Sequence, residues 1–235
     1  MNRLEMIRES ERISHMEVYE NHELYQDSSW LRKPVKTVLD LLPLFDHYNT
    51  LHALDLGCGV GRNCIAIAQH FQGISCRIDC VDILDLAIEK LMHNAKKFHV
   101  TEGIHGVCIP LEAFPISPDT YDLILAVSAL EHVDSEKTFV RILSSIRDGI
   151  QKNGIFCMIM NTDILEFDKQ TRNSIPVQFE INMSGDVLLK LLEQVFDGWN
   201  VLKYSVTKQQ YEIPRGDSLH ELNTNVLTYV VRKPN

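Results

Sequence analysis

The sequence predicts a doubly wound α/β fold, a largely parallel sheet with helices on both faces. Three observations carry this expectation. Between residues 52 and 160, apolar runs of strand length alternate with amphipathic helical stripes, the βαβα pattern. Two of the runs, LILAV at 123 to 127 and IFCMIM at 155 to 160, are apolar without alternation, as central strands covered on both faces require. And 235 residues, 45% hydrophobic and 23% charged, suit one domain with its own core.

Taken in order, residues 3 to 24 are charge-rich, with Leu4, Ile7, Ile13, Met16 and Val18 at irregular helical spacing. They predict a helix laid loosely across the domain, and the reading divides the chain into a helical lid at 1–33 and the main domain at 34–235. Pro34 suits a first helical turn, and Val35, Val38, Leu41, Leu42 and Phe45 mark one face of a helix ending before Asn49. Strands are expected at 52–57, 77–82, 104–109, 121–127 and 154–160. Leu84, Ala87, Leu91, Ala95 and Phe98 stripe one intervening helix, and Phe139, Leu143, Ile146 and Ile150 another. After a helix at 184–196, strand-like runs at 199–206 and 225–232 have no helix between them and predict an antiparallel pair. Residues 162–183, with Phe167, Pro176 and Phe179, are expected to be a long polar connection that helps close a pocket.

The segment ALDLGCGVGRN at 53–63 runs from a strand through a glycine-rich turn into a helix striped by Cys64, Ile65, Ala68 and Phe71. Gly57, Gly59 and Gly61 let the backbone turn tightly and approach a ligand, while N–H groups at the helix start point into the site. The dinucleotide fingerprint also begins with Gly57 and Gly59, but its third position falls on Arg62, which disfavours a nicotinamide cofactor. The second strand ends in Cys80-Val81-Asp82, and a carboxylate there can accept both hydroxyls of an adenosine ribose.

LDLGCGVGRN, the acid at Asp82 and YDLILAVSALEHV after the fourth strand resemble the class I methyltransferases dependent on S-adenosylmethionine (SAM), over roughly residues 30 to 235. The resemblance implies a Rossmann-like seven-stranded sheet of order 3-2-1-4-5-7-6 with the last strand antiparallel. It implies Asp55, Gly57, Cys58, Gly59 and Gly61 at the methionine end of the cofactor, Asp82 and Ile83 at the ribose and adenine, Leu111 and Glu112 at the adenine edge, and Ser128 beside the methionine. The product would be S-adenosylhomocysteine (SAH). The small tellurite-resistance methyltransferases share the GCGxGRN signature, a Gly-Trp pair like Gly198-Trp199, and a histidine that His220 matches approximately. Glu221 follows His220 where a basic residue is expected, and Arg215 stands in a different local context, which count against tellurite as acceptor.

Methyl transfer from a sulfonium is an in-line displacement, so alignment and exclusion of water carry most of the catalysis. For an oxygen or nitrogen acid a base would help, and Glu131 or His132 is the candidate catalytic group; the same pair at a strand-to-helix junction serves equally as a cap. Tyr19, Tyr25 and Trp30 either cover the cationic cofactor or pack ordinarily. Arg62 and Asn63 are read as structural supports of the loop.

The charge of -9 repels phosphate backbones, and Val127-Ser128-Ala129-Leu130 lacks the Asn/Asp-Pro-Pro-aromatic sequence of many base methylases, so a small-molecule acceptor is expected and nucleic acid is not. No stretch reaches the ~20 apolar residues of a membrane span, and MNRLEMIRESER lacks a secretory core, so a cytoplasmic protein without membrane partner is expected. Its six cysteines read as reduced core thiols; Cys76 and Cys80, ~13 Å apart along a strand, do not suit a metal, and no metal site is expected. His93, His99 and His105 read as bystanders. No feature fixes an oligomeric state. The alternative function is a SAM-binding module or sensor without turnover, and a nicotinamide oxidoreductase is remote.

Overall fold

The computed structural model describes residues 3–27, 29–215 and 218–235, without the side chains of Pro214 and Arg215. Met1, Asn2 and Ser28 of the expected lid, and the side-chain setting of Arg215, lie outside the described residues.

The strands are β1 (Thr50–Leu56), β2 (Ser75–Asp82), β3 (Ile104–Cys108), β4 (Tyr121–Val127), β5 (Ile150–Asp168), β6 (Ser174–Ile175), β7 (Asn200–Arg215) and β8 (Ser218–Arg232). They form one sheet of order β3-β2-β1-β4-β5-β8-β7, with β6 paired to β5 beside that path. The first five pair in parallel, and β8 runs antiparallel to both β5 and β7. Apart from the two-residue β6, this is the expected order and the expected reversed last strand.

Helices α1 (Arg3–Asn21), α2 (Lys36–Leu41), α3 (Cys64–His70), α4 (Asp85–Lys97), α5 (Glu136–Gly149) and α6 (Gly185–Val195) complete the chain. Two apolar clusters lie on opposite sheet faces. One gathers Val38, Phe45, Ile65, Leu91 and Ala95 against Ala53, Ile78 and Leu125. The other gathers Phe139, Leu143, Ile146, Leu188 and Leu192 against Leu54, Ile124, Phe156 and Tyr229. Every residue of β4 is buried, as its unbroken apolar run requires.

Four local expectations are corrected. The helix expected through Phe45 stops as an α-helix at Leu41 and continues as a 3-10 turn over Leu42–Phe45, because Pro43 has no N–H for the α-helical ladder. β5, β7 and β8 run well beyond their apolar cores, so 161–168 is strand rather than connection, and 169–173 links it to β6. The extension alternates Thr162, Ile164 and Glu166 inward with Asp163 and Leu165 outward, a period-2 pattern that polar residues conceal. Ile150 opens β5 rather than closing α5. Cys108 is exposed, whereas Cys58, Cys64, Cys80 and Cys157 are buried, and all six are free thiols.

Candidate functional site

The glycine turn sits at the carboxyl end of β1, hung from β2. Gly57 N and Cys58 N both donate to Val81 O, at 2.8 and 3.0 Å. Gly57, Gly59 and Gly61 have φ of +74°, +52° and +97°, a region that side chains rarely tolerate. A Cβ on Gly57 would lie 2.5 Å from Ala129 Cβ, and one on Gly61 2.7 Å from Leu91 Cδ1. The turn is thus locked between α4 and the segment after β4. Asn63 is structural, its Oδ1 accepting from Val35 N at 3.1 Å. Arg62 is structural too: it donates to Trp30 O at 3.1 Å, lies 5.0 Å from the Trp30 ring centre, and its own carbonyl accepts from Tyr25 Oη.

Asp82 ends β2 as expected. Its Oδ2 accepts from Gly59 N at 2.9 Å and its Oδ1 from Leu84 N at 3.0 Å, so the carboxylate stitches the turn while keeping lone pairs toward the crevice. Asp55 is buried with Oδ2 unpartnered. Burial pushes its carboxyl up to about 7, against the pull of Arg62 and with the help of Asp82's charge. Burial likewise pushes the Cys58 thiol up to about 12. Ile83 is half exposed beside Asp82, offering apolar surface. Ser128 is exposed, with φ of +50° and its N–H given to Ile159 O. Leu111 packs against the sheet at a short 3-10 turn, the only helical structure between β3 and β4. Glu112 is drawn instead to α1, accepting from Arg8 Nη2 at 3.2 Å.

The fit of this set to SAM rests on Asp55. A buried carboxylate oxygen without a donor is costly, and the α-ammonium of a methionine supplies that donor. Together with the bare glycine cradle and the acid at the end of β2, the donor set suits an aminoacyl-adenosine cofactor.

Helix α1 spans the mouth of the crevice. Arg3 Nη2 donates to Phe179 O at 3.0 Å, and Arg8 joins Glu112 and approaches Glu180 at 3.8 Å. At its other end the Tyr19 ring is buried with its hydroxyl against Gly59, 2.8 Å from where a Cβ would be. Of α1, only Ile7 and Tyr19 are buried, so polar anchors hold the helix more than an apolar face does. Trp30, His15 and Tyr19 form a ring cluster with centroids 5.8 to 6.4 Å apart.

Beyond β4, Glu131 is fully buried, its Oε1 accepting from Asn161 Nδ2 at 2.9 Å and Asn161 N at 3.3 Å, while Oε2 has no partner. His132 Nδ1 donates to Glu180 Oε2 at 3.0 Å, and its ring stacks on Phe179 and meets His15 edge-on. Burial alone would lower this imidazole, but the Glu180 bond and the charges of Glu131 and Glu11 outweigh it and raise it to about 9. At neutral pH His132 is therefore a cation and no proton acceptor.

Asn161, Glu180, Thr224 and Tyr211 were not singled out by sequence. Thr224 Oγ1 donates to Asn161 Oδ1 at 3.4 Å, and burial together with the charge of Glu131 raises the Tyr211 phenol. Asn161 carried a readable signal, being the first polar residue after the run of β5, where strand ends meet ligands. His220 lies apart, buried in the outer hairpin with Nδ1 2.7 Å from Glu166 Oε1.

A family described as a methyltransferase domain matches residues 53–154, from β1 into β5. That match covers less than half of the chain. Norajmaline N-methyltransferase of Rauvolfia serpentina is 27% identical over 96 residues, 37% of this chain and 29% of that relative. TehB of Haemophilus influenzae superposes with a TM-score of 0.61 at 18% identity, covering 85% of this chain and 62% of TehB. The cyclase SpnF gives 0.61 at 13%, covering 97% and 96%. The chain spans under a third of the length of the first relative and under two thirds of TehB. Among the described residues no helix is long and apolar enough to cross a membrane.

Proposed function

We propose that the chain transfers the methyl group of SAM to a small-molecule acceptor bound between α1 and the carboxyl ends of β4 and β5. The observation that carries this reading is the pair of buried, donorless carboxylate oxygens, Asp55 Oδ2 near the end of β1 and Glu131 Oε2 in the segment after β4. The cofactor supplies an electrophilic methyl on a sulfonium. Asp55 holds its ammonium, Gly57, Cys58, Gly59 and Gly61 give the bare backbone along its methionine, Asp82 accepts its ribose hydroxyls, Ile83 and Leu111 flank its adenine, and Ser128 borders the methionine. Glu112, through Arg8, ties the adenine edge to the lid.

Residues 1–33 are the lid in this reading. Arg3 and Arg8 fasten one end of α1, and Tyr19 must slide off Gly59 when the cofactor enters, bringing an aromatic face over the sulfonium. The acidic chain favours a small acceptor over nucleic acid, and the relative named as an N-methyltransferase agrees with it. Free thiols throughout suit the cytoplasm.

A second reading is a SAM-binding module or sensor without turnover, since a fold does not by itself fix the function of the site it carries. The two are separated by SAH release from the purified protein with amines, thiols, selenite and tellurite supplied singly, with Asp82→Ala as control. Acceptor-dependent release, lost in the variant, is the expected result; tight SAM binding without release from any acceptor favours the second reading.

A further inference from the structure

We propose that the acceptor is an amine that enters as its ammonium, donating an N–H to Glu131 Oε2 beside a cluster of aromatic rings and acidic side chains. This rests on the methyl-transfer reading above and adds the chemical class of the acceptor.

Glu131 is completely buried, yet only one of its oxygens is satisfied. Asn161 gives both its side-chain and backbone N–H to Oε1, and nothing donates to Oε2. A half-satisfied buried carboxylate is expensive unless a ligand completes it, and a charged N–H is the strongest completion. Of the nearby cations, His132 is bonded to Glu180, and Arg8 bonds Glu112 through Nη2 while its buried Nε, 3.8 Å from Glu180, has no hydrogen-bond partner. Glu112, Glu131 and Glu180 outnumber the Arg8 and His132 beside them, which leaves a net negative field at Glu131. An oxyanion would enter against that field, whereas an ammonium enters with it.

The walls agree. The rings of Tyr19, Trp30, His15, His132 and Phe179 form a connected cluster that runs from the glycine turn to His132, the residue next to Glu131. Aromatic faces attract a cation and exclude water around an apolar amine substituent. Glu131 lies just beyond the end of β4, and Asn161 and Thr224 fix its carboxylate from β5 and β8.

The chemistry balances without another reactant. The bound ammonium gives one proton to Glu131, freeing the nitrogen lone pair. That pair forms the new C–N bond as the C–S bond breaks, and the C–S electrons stay on sulfur as a neutral thioether. The nitrogen leaves as the methylated ammonium, and the proton on Glu131 passes to water when the lid opens. Thiols and oxyanions, already nucleophilic as anions, would need no such base.

The test is equilibrium binding to the SAH-saturated protein of three probes of one shape, benzylamine, benzyl alcohol and benzoate, followed by turnover of benzylamine and benzyl mercaptan with SAM. The expected order is benzylamine at least tenfold tighter than benzyl alcohol, with benzoate weakest. In Glu131→Gln the preference for the amine collapses while SAH affinity, which reports a folded cofactor site, stays within twofold. Benzylamine bound no tighter than benzyl alcohol overturns the amine proposal, as does methylation of the mercaptan with the amine untouched. Both leave the methyltransferase reading standing, whereas failure to bind SAM or SAH at all removes the reading on which the proposal rests.

Discussion

Binding of SAM should release a proton, and the source is Asp55. In the free protein burial holds this carboxyl up at about 7, so at pH 6 roughly nine molecules in ten carry it protonated. An α-ammonium against Oδ2 requires the ionised form. Affinity should then fall about tenfold for each pH unit below 7, and about a hundredfold between pH 8 and pH 5, with close to one proton released per SAM at pH 6 and about a tenth at pH 8. Calorimetric titration in two buffers of different ionisation heat measures both quantities. In Asp55→Asn the pH dependence should vanish and binding at pH 8 weaken by roughly tenfold to a hundredfold, the range for a charged hydrogen bond. The sign for folding runs the other way. A carboxyl raised above its unfolded value stabilises the free protein below about pH 4, and that contribution is lost as pH rises through about 7, up to about 4 kcal/mol for a shift of this size. Flat affinity from pH 5 to 8 with no proton released would refute the placement of the ammonium on Asp55.

Further outcomes follow from the same geometry. Gly61→Ala should cost about 2–4 kcal/mol in urea unfolding, because a Cβ at φ +97° meets Leu91 and Ile65 within 2.8 Å, whereas Gly73→Ala, with nothing within 4 Å, should change stability by under about 1 kcal/mol. His132 is raised above its unfolded value, so its stabilisation is complete below about pH 6.5 and lost as pH rises through about 9; His132→Gln should cost about 2 kcal/mol at pH 7 and almost nothing at pH 10. Arg8→Ala removes a clasp between α1 and both Glu112 and Glu180, and should speed SAH dissociation by up to about fivefold in stopped-flow while leaving the melting temperature within a few degrees.

The parts of the fold that sequence made legible are those where one physical signal dominates. LILAV and IFCMIM are buried on both faces because nothing in them prefers water, and Gly57, Gly59 and Gly61 stand where the backbone turns left-handed with no room for Cβ. The hairpin was cut short at both strands because its outer half is polar. Lys208, Gln209 and Gln210 fall beyond the expected strand, yet β7 continues through them on pairing with β8 alone. That extension brings Tyr211 within reach of Glu131's charge, a long-range meeting that no local pattern encodes. Glu131 and His132 were readable as a polar pair at a strand end, but not their division of labour. It depends on Asn161 and Glu180, 30 and 48 residues away, which make one a half-satisfied carboxylate and the other a bound cation.

The most direct test of the account is the mass of the acceptor after incubation with SAM and the purified protein, using benzylamine as the first acceptor and Asp82→Ala as control. The account predicts a gain of one methylene on the acceptor, matched mole for mole by SAH, and abolished in the variant. SAH formed without a methylated acceptor, or a methylated acceptor in equal yield from the variant, would contradict it.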